Sequence, residues 1–454
     1  MFKTIQKIHF VGIGGSGMSG IAEVLVNLGY KVTGSDLKQS DVTDRLQGLG
    51  AEIFYGHRKQ NVGETQVVVT STAVRKDNPE VKQALKLKIP VIPRIEMLAE
   101  LARLKYTIAV AGTHGKTTTT SMVATILQES GMDPTFIIGG KLQQLGSGAK
   151  LGHGDYLVAE ADESDGSFLK LSPTIAIITN IDNDHLDYHG SMKKLKSAFI
   201  EFGNRVPFYG CTICCVQDKE VKSILPYLNR QVVTYGFDSG CAYSAQKISF
   251  ENQHTRFNLF FKKEEVGTIS LPLSGKHNVL NALAACVCAL ELKIPFEKIS
   301  LSLQKFQSVA RRIELRGEKN GALWIDDYGH HPTEIKATLS ALREKYKDKR
   351  LVVLFQPHRF SRTKILLKEF GKALRDGNEV ILLPIYPAGE KPIPGLSSKN
   401  LLHVLRRNGV HSTLLNGHQP PMFLEQYCKP DTIFLTLGAG DVWKMGQKIF
   451  APVD

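Results

Sequence analysis

No stretch of this chain stays apolar long enough to span a bilayer. The longest candidate, Val279 to Leu290, contains Asn281 and stops at Glu291, short of the roughly 18 uninterrupted residues a spanning helix needs. The N-terminal stretch MFKTIQKIHFVGIGG runs straight into a strand-like segment, without the charged, apolar and cleavage regions of a leader. A cytoplasmic location is therefore expected. Cysteine is sparse and unpatterned, with seven residues, an odd number, between Cys211 and Cys428. That does not suggest a disulfide framework. Cys211 and Cys214 form a C-x-x-C, but no second pair stands at a zinc-site distance, and Cys286 and Cys288 have the wrong spacing. Low-complexity tracts and short-period repeats are missing as well. Apolar residues at 42% and charged residues at 22% exclude disorder, collagen and coiled coil.

What the chain does have is length and positive charge. Its 454 residues fit about three domains. The formal net charge is +13, from 57 basic and 44 acidic residues. The basic residues are scattered over KQALKLK, KKLK and REKYKDKR, which read as solvated helix faces. No zinc finger or aromatic RNP-type segment accompanies them, so small anionic substrates are the better reading than nucleic acid.

Three segments each open with a strand and a glycine turn. In the first, IHFVGIG (Ile8 to Gly14) precedes a helical pattern with Met18, Ile21, Ala22, Leu25 and Leu28 on one face, and Gly29 stops it. KVTG and VVVTSTAV supply further strands. The second begins near Tyr106, with TIAVAG, the turn THGKTTTTS and the helix SMVATILQESG, then strands DYLVAEAD and TIAIITNID. The third follows Arg311-Arg312 with ALWIDDY, RLVVLFQP, EVILLPIY and TIFLTLGAG. Alternating strands and helices predict α/β architecture with parallel sheets and ligands at the carboxyl ends of the strands.

Gly12-Ile13-Gly14-Gly15-Ser16-Gly17 satisfies G-x-G-x-x-G between a strand and a helix. Its glycines let backbone approach a diphosphate at a helix N-terminus, and Asp36 stands near the place of a ribose-binding acid. Alone the motif would favour a nicotinamide dehydrogenase, or simply a structural turn. Gly112-Thr113-His114-Gly115-Lys116-Thr117-Thr118 is the sharper signal. Backbone N–H groups there can wrap phosphate oxygens, Lys116 can neutralise the β/γ-phosphates of ATP, and the Thr117 hydroxyl suits Mg2+. The loop departs from the standard P-loop because Val110 stands where a first glycine belongs.

Glu160, Asp162, Glu163 and Asp165 end a buried-type strand, a placement that suits Mg2+ or, more blandly, a polar cap. His185 ends the next strand, where a metal or phosphate role outweighs a structural one. DDYGHHP (Asp326 to Pro332) and QPHRFSR (Gln356 to Arg362) end two strands of the third segment. They gather histidines and arginines without metal-like spacing, and a guanidinium can hold a carboxylate bidentately, so an acidic or amino-acid substrate is expected.

Together these residues resemble the Mur ligase superfamily, and within it the alanine-adding branch, over essentially the whole chain. The resemblance rests on GIGGSGM, GTHGKTTT, EADESD, NIDNDHLD, GKHNVLNALAA, DDYGHHPTE, QPHRFSRT and GAGDVW. It implies three α/β domains: a UDP-sugar-binding Rossmann-like domain over 1–105, a central P-loop-type ATPase domain over 106–310, and a C-terminal amino-acid-binding Rossmann-like domain over 311–454. The segments LARLK (Leu101 to Lys105) and SVARR (Ser308 to Arg312) are then expected to be hinges.

The implied activity joins L-alanine to UDP-N-acetylmuramate through an acyl phosphate, releasing ADP and phosphate, in peptidoglycan precursor synthesis. Gly12, Gly14, Gly15, Ser16 and Gly17 would serve the UDP diphosphate, with Ser35, Asp36, His57 and Ser71 as UDP-pocket residues. Gly112, Thr113, His114, Gly115, Lys116, Thr117 and Thr118 would hold ATP. His277, Asn278, Asn281 and Arg312 would contact the nucleotide. Thr117 and Glu160 resemble one Mg2+ site and His185 a ligand of a second. Tyr328, His330 and Arg362 would receive L-alanine, with His330 the best base by chemistry. Relatives with a carbamylated lysine carry it 15 residues after the histidine that corresponds to His185; Ile200 stands there, so no carbamate is expected. The resemblance leaves monomer and homodimer open. The rivals are a recycling ligase that adds a tripeptide, a nicotinamide oxidoreductase, and a non-catalytic nucleotide-binding scaffold.

Overall fold

A computed structural model describes residues 5–450 except 72, 143–146, 185, 252–253, 308 and 416–421. Its contacts divide the chain into two compact units. One comprises Met1–Ser249, Arg256–Pro272 and Asn278–Gln307; the other comprises Phe250–Thr255, Leu273–His277 and Ser308–Asp454. Among the described residues no helix is long and apolar enough to cross a membrane.

The first unit holds two sheets. One is parallel, in the order Glu52–Tyr55, Lys31–Asp36, Lys7–Val11, Val67–Thr70, Val91–Pro93. The order reverses beside Lys7–Val11, and such a switch opens a crevice at the carboxyl ends, where the first glycine turn lies. The other sheet is centred on Tyr106–Ala111, which pairs in parallel with Ile175–Ile178 on one side and Tyr156–Ala161 on the other. Cys211–Cys215 and Gln231–Gly236 extend it in parallel beyond Ile175–Ile178. The central strands are unbroken apolar runs because helices cover both faces: Ile108, Ala109, Val110, Ala111 and Ile175 to Ile178 are all buried.

The two sheets share one apolar core. Met18, Ile21 and Val24 of the helix Ser16–Asn27 belong to the same cluster as Ile137, Ala149, Leu157 and Ala159 of the central sheet. A Cβ on Gly20 would meet both Ala149 and Ile137 at 3.2 Å, so the close approach needs glycine. The LARLK segment, expected as a hinge, is therefore not loose chain. Leu101 and Ala102 are buried in this core, and Lys105 Nζ donates to the Gly152 and Gly154 carbonyls at 2.6 and 2.5 Å.

The second unit carries a sheet in the order Glu314–Lys319, Ala322–Asp327, Thr432–Leu437, Arg350–Phe355, Glu379–Leu382, Ser412–Leu414. Only its Glu314–Lys319 edge is antiparallel. All seven cysteines are buried free thiols. Burial pushes the Cys211 thiol up to about 12 and that of Cys214 higher still, as suits thiols packed within the buried strand Cys211–Cys215.

One carboxylate organises the interior of the first sheet. Glu80 is fully buried and accepts from Ser35 Oγ at 2.6 Å, Asn61 Nδ2 at 2.5 Å and the Arg58 N–H at 3.2 Å. His9 and His57 ring nitrogens stand 3.6 and 3.4 Å away. Burial alone would raise this carboxyl, but the His9, Ser35 and Asn61 side chains outweigh it and hold it at about 2. Glu80→Ala strands three donors in the interior and is expected to cost about 3 kcal/mol or more in urea unfolding at neutral pH. Because the folded carboxyl lies below its unfolded value of 4.5, its contribution is present above that pH and fades as pH falls toward 2. The gap between wild type and variant should close over that window.

Candidate functional site

The central glycine turn links the buried strand Tyr106–Ala111 to the helix Lys116–Glu129. Gly112 has φ +137°, and a Cβ there would collide with Thr179 Oγ1 and lie 3.0 Å from the Asn180 carbonyl. Gly115, left-handed at φ 81°, precedes the helix directly, and its Cβ would lie 2.5 Å from Asn281 Oδ1. The free N–H groups and dipole of the following first turn make an anion cradle.

The end of the neighbouring strand clamps the turn. The His114 N–H donates to Asn180 Oδ1 at 2.8 Å, Thr179 Oγ1 and Asn180 Nδ2 donate to the His114 carbonyl at 2.7 and 2.9 Å, and the Asp182 N–H donates to Thr113 Oγ1 at 2.9 Å. His114 Nε2 lies 3.0 Å from Asp182 Oδ2. On the other side Thr119 Oγ1 donates to Asn281 Oδ1 at 3.3 Å, and Asn281 Nδ2 to Asn278 Oδ1 at 3.3 Å. Asn278 and Asn281, far away in sequence, are thus brought to this loop by the helix Lys276–Glu291.

Lys116 Nζ donates to the Gly112 and Thr113 carbonyls at 2.6 and 3.3 Å and pairs with Glu163 at 2.9 Å. The side chains are 15% and 1% exposed, so this is a buried pair. Burial alone would lower the ammonium, but Glu163, Asp162 and Glu160 together hold it above its ordinary value. Glu160, the first acid of the cluster, accepts from the Gly139 N–H at 2.8 Å. The hydroxyl of Thr117 and the carboxylate of Glu160 are hard oxygen donors, the chemistry Mg2+ requires. His185 lies outside the described residues.

Arg94 was not singled out from the sequence. It donates to Asp162 at 3.0 Å, and a Cβ on Gly17 would collide with its guanidinium, so it links the first glycine turn to the acidic cluster. The available signal was a basic residue right after the short strand Val91–Pro93. Around the first turn, the Gly12 and Ile13 N–H groups donate to the Ser35 carbonyl at 2.8 and 3.0 Å, and the Gly14 N–H to Asp36 Oδ2 at 2.9 Å. Gly15 closes back on Gly12 at 3.2 Å, and Ser16 opens the helix. Ser35 is fully buried, with its hydroxyl on Glu80 and 3.0 Å from His57. Ser71 follows the strand Val67–Thr70. A cleft of about 260 Å³ runs beside this turn, lined by Ser19, Glu23, Asp41, Arg45, Gly139 and Ser147.

In the second unit the strand ends converge as well. Tyr328 and His330 rings lie edge to face at 5.5 Å, His330 stands 5.7 Å from His358, and His358 stacks on Tyr386. Arg362, 7% exposed, brings Nη1 to 3.4 Å from His358 Nδ1. The guanidinium groups of Arg311 and Arg312 lie 5.1 and 5.4 Å from the Tyr328 ring centroid. Arg311 also bonds Asp326 and the Gly438 carbonyl at 2.8 and 2.6 Å. The His330 N–H donates to Glu334 at 3.0 Å. Burial, then the Arg312 charge, holds the His277 ring down at about 4, a neutral acceptor at working pH. Asp327 is buried beneath Gly329 and Thr338, and burial raises its carboxyl.

The turn geometry predicts a graded response to added methyl groups. Gly112→Ala is expected to cost at least about 2 kcal/mol in urea unfolding and to abolish ATP binding, since both left-handed strain and collision apply. Gly131→Ala, at φ +83° with open space around it, should cost only about 1 kcal/mol and leave ATP binding unchanged.

Residues 7–106 match the Mur ligase family catalytic domain, 110–289 the Mur ligase middle domain, and 311–440 the Mur ligase glutamate ligase domain. The UDP-N-acetylmuramate–L-alanine ligase of Geobacter sulfurreducens is 54% identical over 100% of this chain and 99% of its own length. The enzyme of the same name from Endomicrobium trichonymphae is 52% identical over 99% and 100%. Among solved structures, the UDP-N-acetylmuramate–alanine ligase of Thermotoga maritima superposes with a TM-score of 0.84 at 30% identity, covering 98% of each chain.

Proposed function

The chain belongs to the Mur ligase family, and we infer from that premise that it joins L-alanine to UDP-N-acetylmuramate, with ATP converted to ADP and phosphate. The observation that carries the alanine assignment is identity of 50–54% to enzymes of that name along the full chain. A murein peptide ligase from Psychrobacter arcticus, at 24% identity, shares the fold. Full-length identity of 50% or more to alanine ligases is what favours the alanine reaction over the tripeptide one.

In the proposed reaction a carboxylate oxygen of the muramyl group attacks the γ-phosphorus of ATP and ADP leaves. The alanine amine then attacks the acyl carbon, the C–O bond to phosphate breaks, and the amine's proton passes to a base. We assign Lys116 and the N–H groups of the loop from Gly112 through Thr118, with Thr113, His114, Gly115 and Thr117, to the ATP phosphates. The Thr113 and His114 N–H groups are held by Asn180, so the charge that grows during transfer would fall to Lys116 and the first-turn N–H groups that follow Gly115. Thr117 and Glu160 would hold Mg2+, which when bound offsets phosphate charge, and His185 is assigned to a second ion.

Asn278, Asn281, His277 and Arg312 are assigned to the nucleotide. Gly12, Gly14, Gly15, Ser16 and Gly17 are assigned to the UDP diphosphate, and Asp36, His57 and Ser71 to the uridine side. Ser35 acts through Glu80 and His57 rather than by direct contact, since its hydroxyl is buried. Tyr328 and Arg362 are assigned to the alanine, Arg362 to its carboxylate, and His330 to accept the amine's proton.

The decisive test is phosphate release with UDP-N-acetylmuramate, ATP and an amino-acid panel. Alanine should give turnover. Equal release without any amino acid, or release only with a tripeptide, rejects the assignment. Lys116→Ala should lower kcat by about 10²–10³. It also leaves Glu163 buried and unpaired, so a loss of about 3 kcal/mol in stability is expected alongside. The double variant Lys116→Met, Glu163→Gln should recover most of that stability while staying inactive, which separates the catalytic loss from unfolding.

A further inference from the structure

The chemistry assigned above uses only the carboxyl ends of the central strands. Their opposite ends line an open hollow of about 570 Å³ that none of it occupies. Tyr106, Tyr156, Cys211 and Gln231 open four of the parallel strands and line it, together with Tyr209 and Glu291. The size is that of a small-molecule site.

The lining has a definite chemical bias. Tyr106 and Tyr156 rings stand 6.0 Å apart and tilted by 42°, and Tyr209 is largely exposed. Glu291 is the last residue of the helix Lys276–Glu291, whose final turn carries no basic residue. The carboxylate therefore adds to the negative end of a helix dipole. Its one hydrogen bond among the described residues is a long one, 3.4 Å from the Tyr243 hydroxyl, and no ammonium, guanidinium or imidazole pairs with it there. The uncompensated charge is felt nearby. Burial first, then Glu291, pushes both the Cys211 thiol and the Tyr243 phenol up to about 12. An anion would be repelled here. A bare divalent ion would find a single carboxylate, Glu291, with only neutral groups elsewhere in the lining. Aromatic faces beside a lone carboxylate suit an organic cation, which gains from ring quadrupoles and from charge together.

We propose that this cavity binds an aliphatic ammonium ion, its charge against Glu291 and its alkyl groups against the tyrosine rings. The site is separate from the ligase chemistry and stands whether or not the alanine assignment holds.

The test is calorimetric titration of the full chain at 150 mM salt with choline, with spermidine, and with 3,3-dimethylbutan-1-ol, the uncharged carbon isostere of choline. At least one of the two cations should saturate a single site, choline alone marking a quaternary preference and spermidine alone a primary one. The isostere should bind at least about tenfold more weakly than choline if choline is the ligand, and should not bind at all if spermidine is. Glu291→Gln and Tyr156→Leu should each weaken the cation about tenfold while alanine-dependent turnover is unchanged. No saturable binding by either cation overturns the proposal. So does equal binding of choline and its isostere, or a Glu291→Gln affinity equal to wild type. The isostere comparison needs no variant, so a substitution that disturbs folding does not leave the matter open.

Discussion

The ammonium of Lys116 holds the central loop in shape. Two loop carbonyls and the Glu163 carboxylate surround it, and a charge so enclosed tolerates no vacancy among its partners. The rest of the site is built around that requirement. Gly112 and Gly115 must be glycine so that the carbonyls can turn inward and Asn281 can approach. Thr179, Asn180 and Asp182 must end the adjacent strand in register to clamp His114 and Thr113. Glu163 must be delivered by the strand on the other side. Parallel pairing through Tyr106–Ala111 fixes all three placements at once.

The same rule repeats in the other two sheets with different chemistry at the edge. In the first, the strand ends present backbone N–H groups and a buried carboxylate network under Ser35. In the third they present rings and guanidinium groups around Tyr328 and His358. One architecture thus supplies two glycine turns at helix starts and a cationic aromatic edge, each built from the side chains that follow the last paired residues of the strands.

Much of this was legible in the chain. Strand, glycine turn and helix can be read locally, because apolar runs, positive-φ glycines and helix starts are properties of a few adjacent residues. Tyr328, His330 and Arg362 follow the strands Ala322–Asp327 and Arg350–Phe355, which flank Thr432–Leu437 in one parallel array, so their carboxyl ends share an edge. What escaped reading depends on distant partners. Glu80 looks like an exposed helix acid until Ser35, Asn61 and two histidines close over it. Arg94 gains meaning only when Asp162 and Gly17 come beside it. LARLK has the composition of a linker, yet Leu101 and Ala102 are core residues. The strands Tyr243–Glu251, His254–Phe261 and Glu264–Leu271 also escaped reading, although Thr255, Phe257 and Leu259 of the second alternate with outward residues in the period of a half-buried strand.

The core shared by the first two sheets has a consequence for how the chain is made. The Gly20 face of the helix Ser16–Asn27 is covered by Ile137 and Ala149, which leave a ribosome well after it. At ordinary synthesis speeds the delay is roughly 10 s. In the later part of that interval, after Pro93 completes the first sheet, this face of the helix is still bare, a surface for a nascent-chain chaperone to occupy. A stalled ribosome or a nonsense codon before Lys150 would release a fragment with that face still open, and quality control would read it as unfinished.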